Sequence, residues 1–346
     1  MRRGRHQRLE RARQMIHRHF CTYFDHRYLP LGLALHGSLR RVCGDFTLWV
    51  LALDEEAAAF LDEAALPSLR VVRLSDLEAF DPQLKEVEKD RSRVEYYFTC
   101  SPCLPRYLME VEGVDEVTYL DSDLWFFASP ERVFDEMGDG AVAIVPHRFS
   151  EAAARSHARF GLYNVGWLTF RNNADGRACL EWWRGMCIDW CYDRAEPTRY
   201  ADQKYLDYFE SRFPGVRVIA NPGANLAPWN VARHAVVQDS SGVSVDGEPL
   251  VFFHFQGLRR MSRSTYDSNL ASYGARLTPA LRHGVFEPYL YALGQAEAFV
   301  AARLPAAVDA QNIRRAELGL WRRRASRAWR LLRARMTGNL LDVPVR

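Results

Sequence analysis

The chain has 346 residues, 48% of them hydrophobic and 26% charged, with a formal net charge of +3. That is enough length for one large domain or two small ones with a substantial core, and the composition is that of an ordinary soluble globular protein. No apolar run approaches the ~18 residues of a membrane span. The basic, amphipathic start from Met1 to Phe20 lacks the apolar core of a secretory signal, and Glu10 and the absence of serine disfavour a mitochondrial transit peptide. Seven cysteines, an odd number without scaffold-like spacing, point to a reduced, cytoplasmic setting.

In chain order, a basic helical extension is expected over residues 1–18, followed by a short strand at Phe20–Phe24 and a helix through Leu31–Leu39. Thr47–Leu53 and Leu69–Leu74 have the continuous apolar character of buried strands, while Glu55–Glu63 and Pro102–Glu110 are patterned as helices. The Val117 strand comes next, then Gly140–Pro146 and Val165–Phe170 as strands and Cys179–Cys191 as a tryptophan-rich helix whose aromatics suit core packing. Val216–Ile219 and Leu250–Phe255 close the strand series. Strands alternating with helices predict an α/β fold with an open sheet and its function at the carboxyl ends of the strands. The main domain is expected over residues 19–300, with an arginine-rich amphipathic tail over 301–346. Cys100-Ser101-Pro102-Cys103 has the spacing of a redox or half-zinc motif that Cys187 and Cys191 would complete, but cysteines packed as small hydrophobes are the simpler expectation.

Two segments carry chemistry. In Val117-Thr118-Tyr119-Leu120-Asp121-Ser122-Asp123, a strand-like run ends in two aspartates spaced i and i+2. In extended backbone, both carboxylates would face one point while Ser122 faces away, a poor core and a good seat for a hard divalent cation. Asp-x-Asp arises by chance about once in a chain of this length, so its place after a buried strand is the informative part. The second segment is Phe252-Phe253-His254-Phe255-Gln256-Gly257-Leu258-Arg259-Arg260. Imidazole complements carboxylates around manganese-type ions, a glycine permits close backbone approach to a phosphate, and an arginine fork neutralises it.

These segments resemble the metal-dependent nucleotide-sugar glycosyltransferases of the GT-A fold, and most closely the retaining, glycogenin-like enzymes (family eight). The resemblance implies a Rossmann-like, mostly parallel central sheet flanked by helices, here with a helical basic C-terminal extension. It implies Asp121, Asp123 and His254 as ligands of Mn2+ (or Mg2+), and Gly257 with Arg260 as a clamp on the donor's diphosphate. Arg260 stands where the family has lysine, which keeps the charge but changes the contact from a point to a planar fork. In Phe24-Asp25-His26-Arg27-Tyr28, the resemblance implies that Asp25 contacts the base and Tyr28 stacks on it. Tyr163-Asn164-Val165-Gly166 and Ala201-Asp202-Gln203 resemble the family's sugar-facing segments, which implies Asn164, Asp202 and Gln203 beside the donor sugar. Asn225 to Asn230 resembles a late loop that packs against the site. The family's arginine before the metal strand has no counterpart in Thr99–Leu104, and the nearest candidate, Arg106, is out of register.

The implied activity is transfer of a sugar from a nucleotide-diphospho-sugar, preferentially a UDP-sugar, to a glycan or lipid-linked acceptor with retention, Asp202 being the carboxylate nearest the chemistry. A nucleotidyltransferase usually shows a glycine- and lysine/arginine-rich loop right after its first strand, which Phe20 to Pro30 does not offer. A non-catalytic basic scaffold or nucleic-acid-binding protein is the other alternative, disfavoured by the intact Asp121, Asp123, His254 and Gln203. In the tail, Leu318, Trp321, Ala325, Trp329, Leu332 and Met336 form one apolar stripe among arginines. Such a helix suits an anionic membrane surface at the inner face of the membrane, with docking on the catalytic domain or a solvated tail as alternatives. No nucleic-acid reader motif accompanies the arginines.

Overall fold

The computed structural model describes residues 16–262, 264–305 and 332–342. Eight strands lie in the first two thirds of the chain: β1 Arg18–Phe24, β2 Phe46–Ala52, β3 Leu69–Arg73, β4 Glu116–Leu120, β5 Leu124–Phe126, β6 Val142–Pro146, β7 Tyr163–Arg171 and β8 Val216–Val218. All but β5 form one seven-stranded sheet in the order β3-β2-β1-β4-β7-β6-β8. β3, β2, β1 and β4 run parallel, β7 is antiparallel to both neighbours, and β8 is parallel to β6. The predicted α/β sheet, mostly parallel and flanked by helices, is therefore the fold.

Alternation along β1 sends Phe20 and Phe24 to one face and Cys21 and Tyr23 to the other, and each face has its own core. On one side lie the helices Leu29–Val42 and Glu55–Ala64, on the other Arg93–Glu110 and Ala174–Asp189. The Arg93–Glu110 helix starts well before Pro102, the residue at which the sequence pattern opens it. Its N-terminus is a capping box: the Ser92 hydroxyl accepts from the Glu95 N–H, and the Glu95 carboxylate accepts from the Ser92 N–H at 2.8 Å. Pro102 and Pro105 lie inside this helix, where burial against the sheet outweighs their local cost. All seven cysteines are free thiols; six are buried and Cys43 is half-buried.

β9 Val236–Asp239, β10 Gly242–Val245 and β11 Glu248–Pro249 form a small antiparallel sheet. β12, Phe252–His254, does not join the central sheet but pairs antiparallel with β5. β13 Arg259–Arg260, β14 Thr265–Asp267 and β15 Leu340–Asp342 make a three-stranded sheet, so the chain's described C-terminal residues return to the domain. There Leu341 and Ala334 are buried, whereas Leu332 and Met336 are exposed. The other stripe residues, and residues 1–15 of the N-terminal extension, lie outside the described residues. β1 begins at Arg18, the expected end of that extension, and its guanidinium bonds Glu116 at 2.7 Å and Glu131 at 2.6 and 2.9 Å. No helix among the described residues is long and apolar enough to cross a membrane.

Candidate active site

Asp121, Asp123 and His254 converge at the carboxyl end of β4. The two aspartates are not in extended backbone: Asp121 to Leu124 form a turn closed by the Leu124 N–H on the Asp121 carbonyl at 3.2 Å, with the Asp121 N–H held by the Gly166 carbonyl at 3.2 Å. The turn, not a strand pleat, brings the two carboxylates to one side, a correction to the geometry expected from the i, i+2 spacing. The chain then leaves in β5, and the β5–β12 ladder sets His254 opposite Leu124, with the Phe255 N–H on the Asp123 carbonyl at 3.0 Å. His254 Nε2 lies 2.9 Å from Asp123 Oδ1 and 3.6 Å from Asp121 Oδ2. One ligand atom from each of the three residues falls within 4.8 Å of the others. Two carboxylate oxygens and one imidazole nitrogen suit Mn2+ or Mg2+.

Electrostatics agree with that use. Burial pushes the Asp121 carboxyl up to about 6; the His254 charge opposes this and Asp123 adds to it. For His254, burial works against the charged ring, but the adjoining Asp123 and Asp121 outweigh it and raise the imidazole's affinity for a proton. The imidazole is 3% exposed and the Trp229 ring packs edge-on against it at 5.1 Å. Trp229 belongs to the Asn225–Asn230 loop, in which the Leu226 carbonyl accepts the His254 N–H at 2.8 Å. That loop therefore does pack against the site.

Asn164 meets His254 from the other side, with Gln203 behind it. Between Ile144 and Val145 the β6–β7 register jumps from Leu168 to Asn164, a bulge that lifts Asn164, Val165 and Gly166 over the Asp121 turn. Asn164 Oδ1 lies 3.2 Å from His254 Nδ1, and Asn164 Nδ2 donates to Gln203 Oε1 at 3.0 Å. A Cβ on Gly166 would come within 2.5 Å of Asn164 Oδ1 and 2.9 Å of His254 Nδ1, so only glycine fits there.

Asp202 is 5% exposed, follows the left-handed residue Ala201 (φ +47°), and is anchored by the Trp183 indole N–H on its carbonyl at 2.7 Å. Burial pushes its carboxyl up to about 7, against a hydrogen bond with Ser101 and with the help of the Asp121 charge. A run of hydroxyls joins the two acids. Ser101 contacts Asp202 and donates to Tyr23 Oη at 3.3 Å, the Tyr23 and Tyr119 hydroxyls are hydrogen-bonded, and Tyr119 Oη donates to Asp121 Oδ1 at 3.0 Å. Sequence reasoning missed Tyr23, Ser101 and Tyr119. Tyr119 had a signal, standing two residues before Asp121; Ser101 was hidden inside the Cys-x-x-Cys pattern.

The remaining predicted residues lie on other elements. Asp25 follows β1 and is 2% exposed; its carboxylate caps the turn His26–Tyr28 and pairs with Arg27 Nη2 at 2.5 Å and Arg93 Nη2 at 3.3 Å. Tyr28 is half-buried at the start of the Leu29–Val42 helix. Gly257 is in the left-handed region (φ +75°), with Asn269 where a side chain would go. Arg260 is held by Glu297 and by Tyr266 Oη, the latter 2.8 Å from Nε. Arg106 points elsewhere, to Glu181 at 2.9 Å and Glu110 at 3.0 Å.

The sheet order with its reversed β7, and the aspartate turn after β4, define a GT-A fold. Among solved structures, the galactosyltransferase LgtC in complex with donor and acceptor sugar analogs has this fold, with a TM-score of 0.52 at 16% identity over 80% of this chain and 95% of that one. No protein-family model matches the chain. It belongs to the family of the uncharacterized protein YfnF of Bacillus subtilis (strain 168), to which it is 32% identical over 251 residues, 70% of this chain and 82% of that protein. The uncharacterized protein YfnD of the same organism is 29% identical over 275 residues, 79% of this chain and 87% of its own length.

Proposed function

We infer that this chain is a glycosyltransferase that moves a sugar from a nucleotide-diphospho-sugar, of UDP type, to a hydroxyl of a glycan or lipid-linked acceptor. The observation that carries this reading is the convergence of Asp121, Asp123 and His254 at the carboxyl end of a GT-A sheet. These three residues would hold Mn2+ or Mg2+, and the bound ion would supply Lewis-acid stabilisation of the departing diphosphate. Asp25 and Tyr28 sit at the end of β1, where the resemblance places the base, and binding there requires Arg27 to yield part of the Asp25 carboxylate. Gly257 offers backbone close to the phosphates, and Arg260 can reach them by exchanging Glu297 for a phosphate oxygen. Asp202, Gln203 and Asn164 lie on the sugar side.

Asp202, neutral up to about 7 through burial, can donate a hydrogen bond to a sugar hydroxyl where an exposed aspartate would only accept. Retention is what the resemblance to the glycogenin-like enzymes implies, with Asp202 the carboxylate nearest the chemistry. The arginine-rich tail would hold the enzyme at an anionic membrane face on the cytoplasmic side. The test is release of nucleotide from a panel of nucleotide sugars without acceptor. The expected result is slow, manganese-dependent UDP release that stops on chelation. No release from any donor, with the ion present, would overturn the reading.

A further inference from the structure

The side-chain amides beside His254 are fixed in direction by backbone groups at both ends. Asn164 Oδ1 lies 3.1 Å from the Gly166 N–H, a group that can only donate, so the atom facing it must be the amide oxygen. That same oxygen faces His254 Nδ1 at 3.2 Å, so Nδ1 must carry hydrogen. At the other end, Gln203 faces the Phe160 carbonyl at 2.9 Å, a group that can only accept, so Nε2 of the amide is there and Oε1 receives Asn164 Nδ2 at 3.0 Å. Every link then runs one way: His254 donates to Asn164, Asn164 to Gln203, and Gln203 to the Phe160 carbonyl.

We propose that Asn164, backed by Gln203, is a positioning residue for the ion: it holds the His254 imidazole as the Nδ1–H tautomer, with the Nε2 lone pair aimed between Asp121 and Asp123. The physical reason is that a buried ring 3% exposed cannot find its tautomer from solvent, and a misassigned ring would present N–H to a cation. The Gly166 position belongs to the same device, because a side chain there would displace both Asn164 Oδ1 and His254 Nδ1. Each amide keeps one further N–H, so this role adds to any contact with sugar.

The inference rests on the metal-site reading, and its test separates the two. Mn2+ binding to the full-length protein, followed by electron paramagnetic resonance of the free ion, needs no substrate. Asn164→Leu is expected to weaken binding about 10- to 100-fold, whereas Asn164→Asp, which keeps an acceptor for Nδ1–H, binds at least as tightly as the parent. Wild-type affinity in a cooperatively melting Asn164→Leu, or equal losses in both variants, would overturn the proposal. Should Asn164→Leu not fold, the long-range 1H–15N spectrum of the Mg2+-loaded parent decides: proton on Nδ1 supports it and proton on Nε2 overturns it. If the parent binds no Mn2+, the metal-site reading falls and this proposal with it.

Discussion

Among the described residues, two places set a histidine between two carboxylates, and only the second is proposed as an ion site. In the first, His26 Nδ1 meets Asp54 at 2.7 Å and Glu56 at 2.9 Å; in the second, His254 meets Asp123 and Asp121. Asp54 is already committed: it caps the Glu55–Ala64 helix through the Ala57 N–H at 2.9 Å, accepts the His26 N–H and lies 3.7 Å from Arg93. Glu56 is 62% exposed, so its pairing is screened by water. At His254 the ring is buried, its far nitrogen is tied to Asn164, and the near one faces both acids. Proximity of like residue types is common to the two; what separates them is where the lone pairs are spent.

The largest consequence concerns the second cluster. Asp123→Ala should abolish Mn2+ binding and lower turnover by about a thousandfold or more, while Glu56→Ala leaves Mn2+ binding where it was. Mn2+ titrations of both variants measure this directly, and equal losses would erase the distinction between the clusters. Next, Asp54→Ala should cost about 1–2 kcal/mol of stability through the lost helix cap and the lost acceptor for the His26 backbone N–H, with Mn2+ affinity unchanged. Denaturant melts would reveal a smaller loss if the cap were redundant.

A third effect, read as a slope in pH, belongs to Asp202. Its native carboxyl, raised to about 7, keeps a proton that the unfolded chain has already released, so it costs stability as pH climbs from the ordinary carboxylate range through about 7. Asp202→Asn removes that slope. Its melting temperature should fall less than the parent's between pH ~5 and ~8, and parallel curves would mean the acid is not neutral in the fold.

Much of the architecture was legible because it depends on local pattern. Thr47–Leu53 and the Val117 run are continuous apolar segments, and a strand buried on both faces needs that composition. The sequence pattern opens the Arg93–Glu110 helix only at Pro102, because the Ser92–Glu95 box that starts the helix is a weaker pattern in sequence. β12 is legible as a strand, but an apolar run of that kind does not name its partner, which is β5. Ser101 looked like part of a cysteine motif, and its hydroxyl found Asp202 and Tyr23 only through packing.

Residue type and short spacing supply the inventory: the aspartate pair, the histidine before a glycine, the Asn-x-Gly and the Asp-Gln. Tertiary structure decided their assembly. The Asp121–Leu124 turn, the β5–β12 ladder and the β7 bulge bring together groups far apart in the chain, because backbone hydrogen bonds that must be satisfied once buried admit few arrangements. The same constraint gave direction to the amides of Asn164 and Gln203, pinned between one backbone N–H and one backbone carbonyl. Neither spacing nor composition records which way such a chain of hydrogen bonds runs.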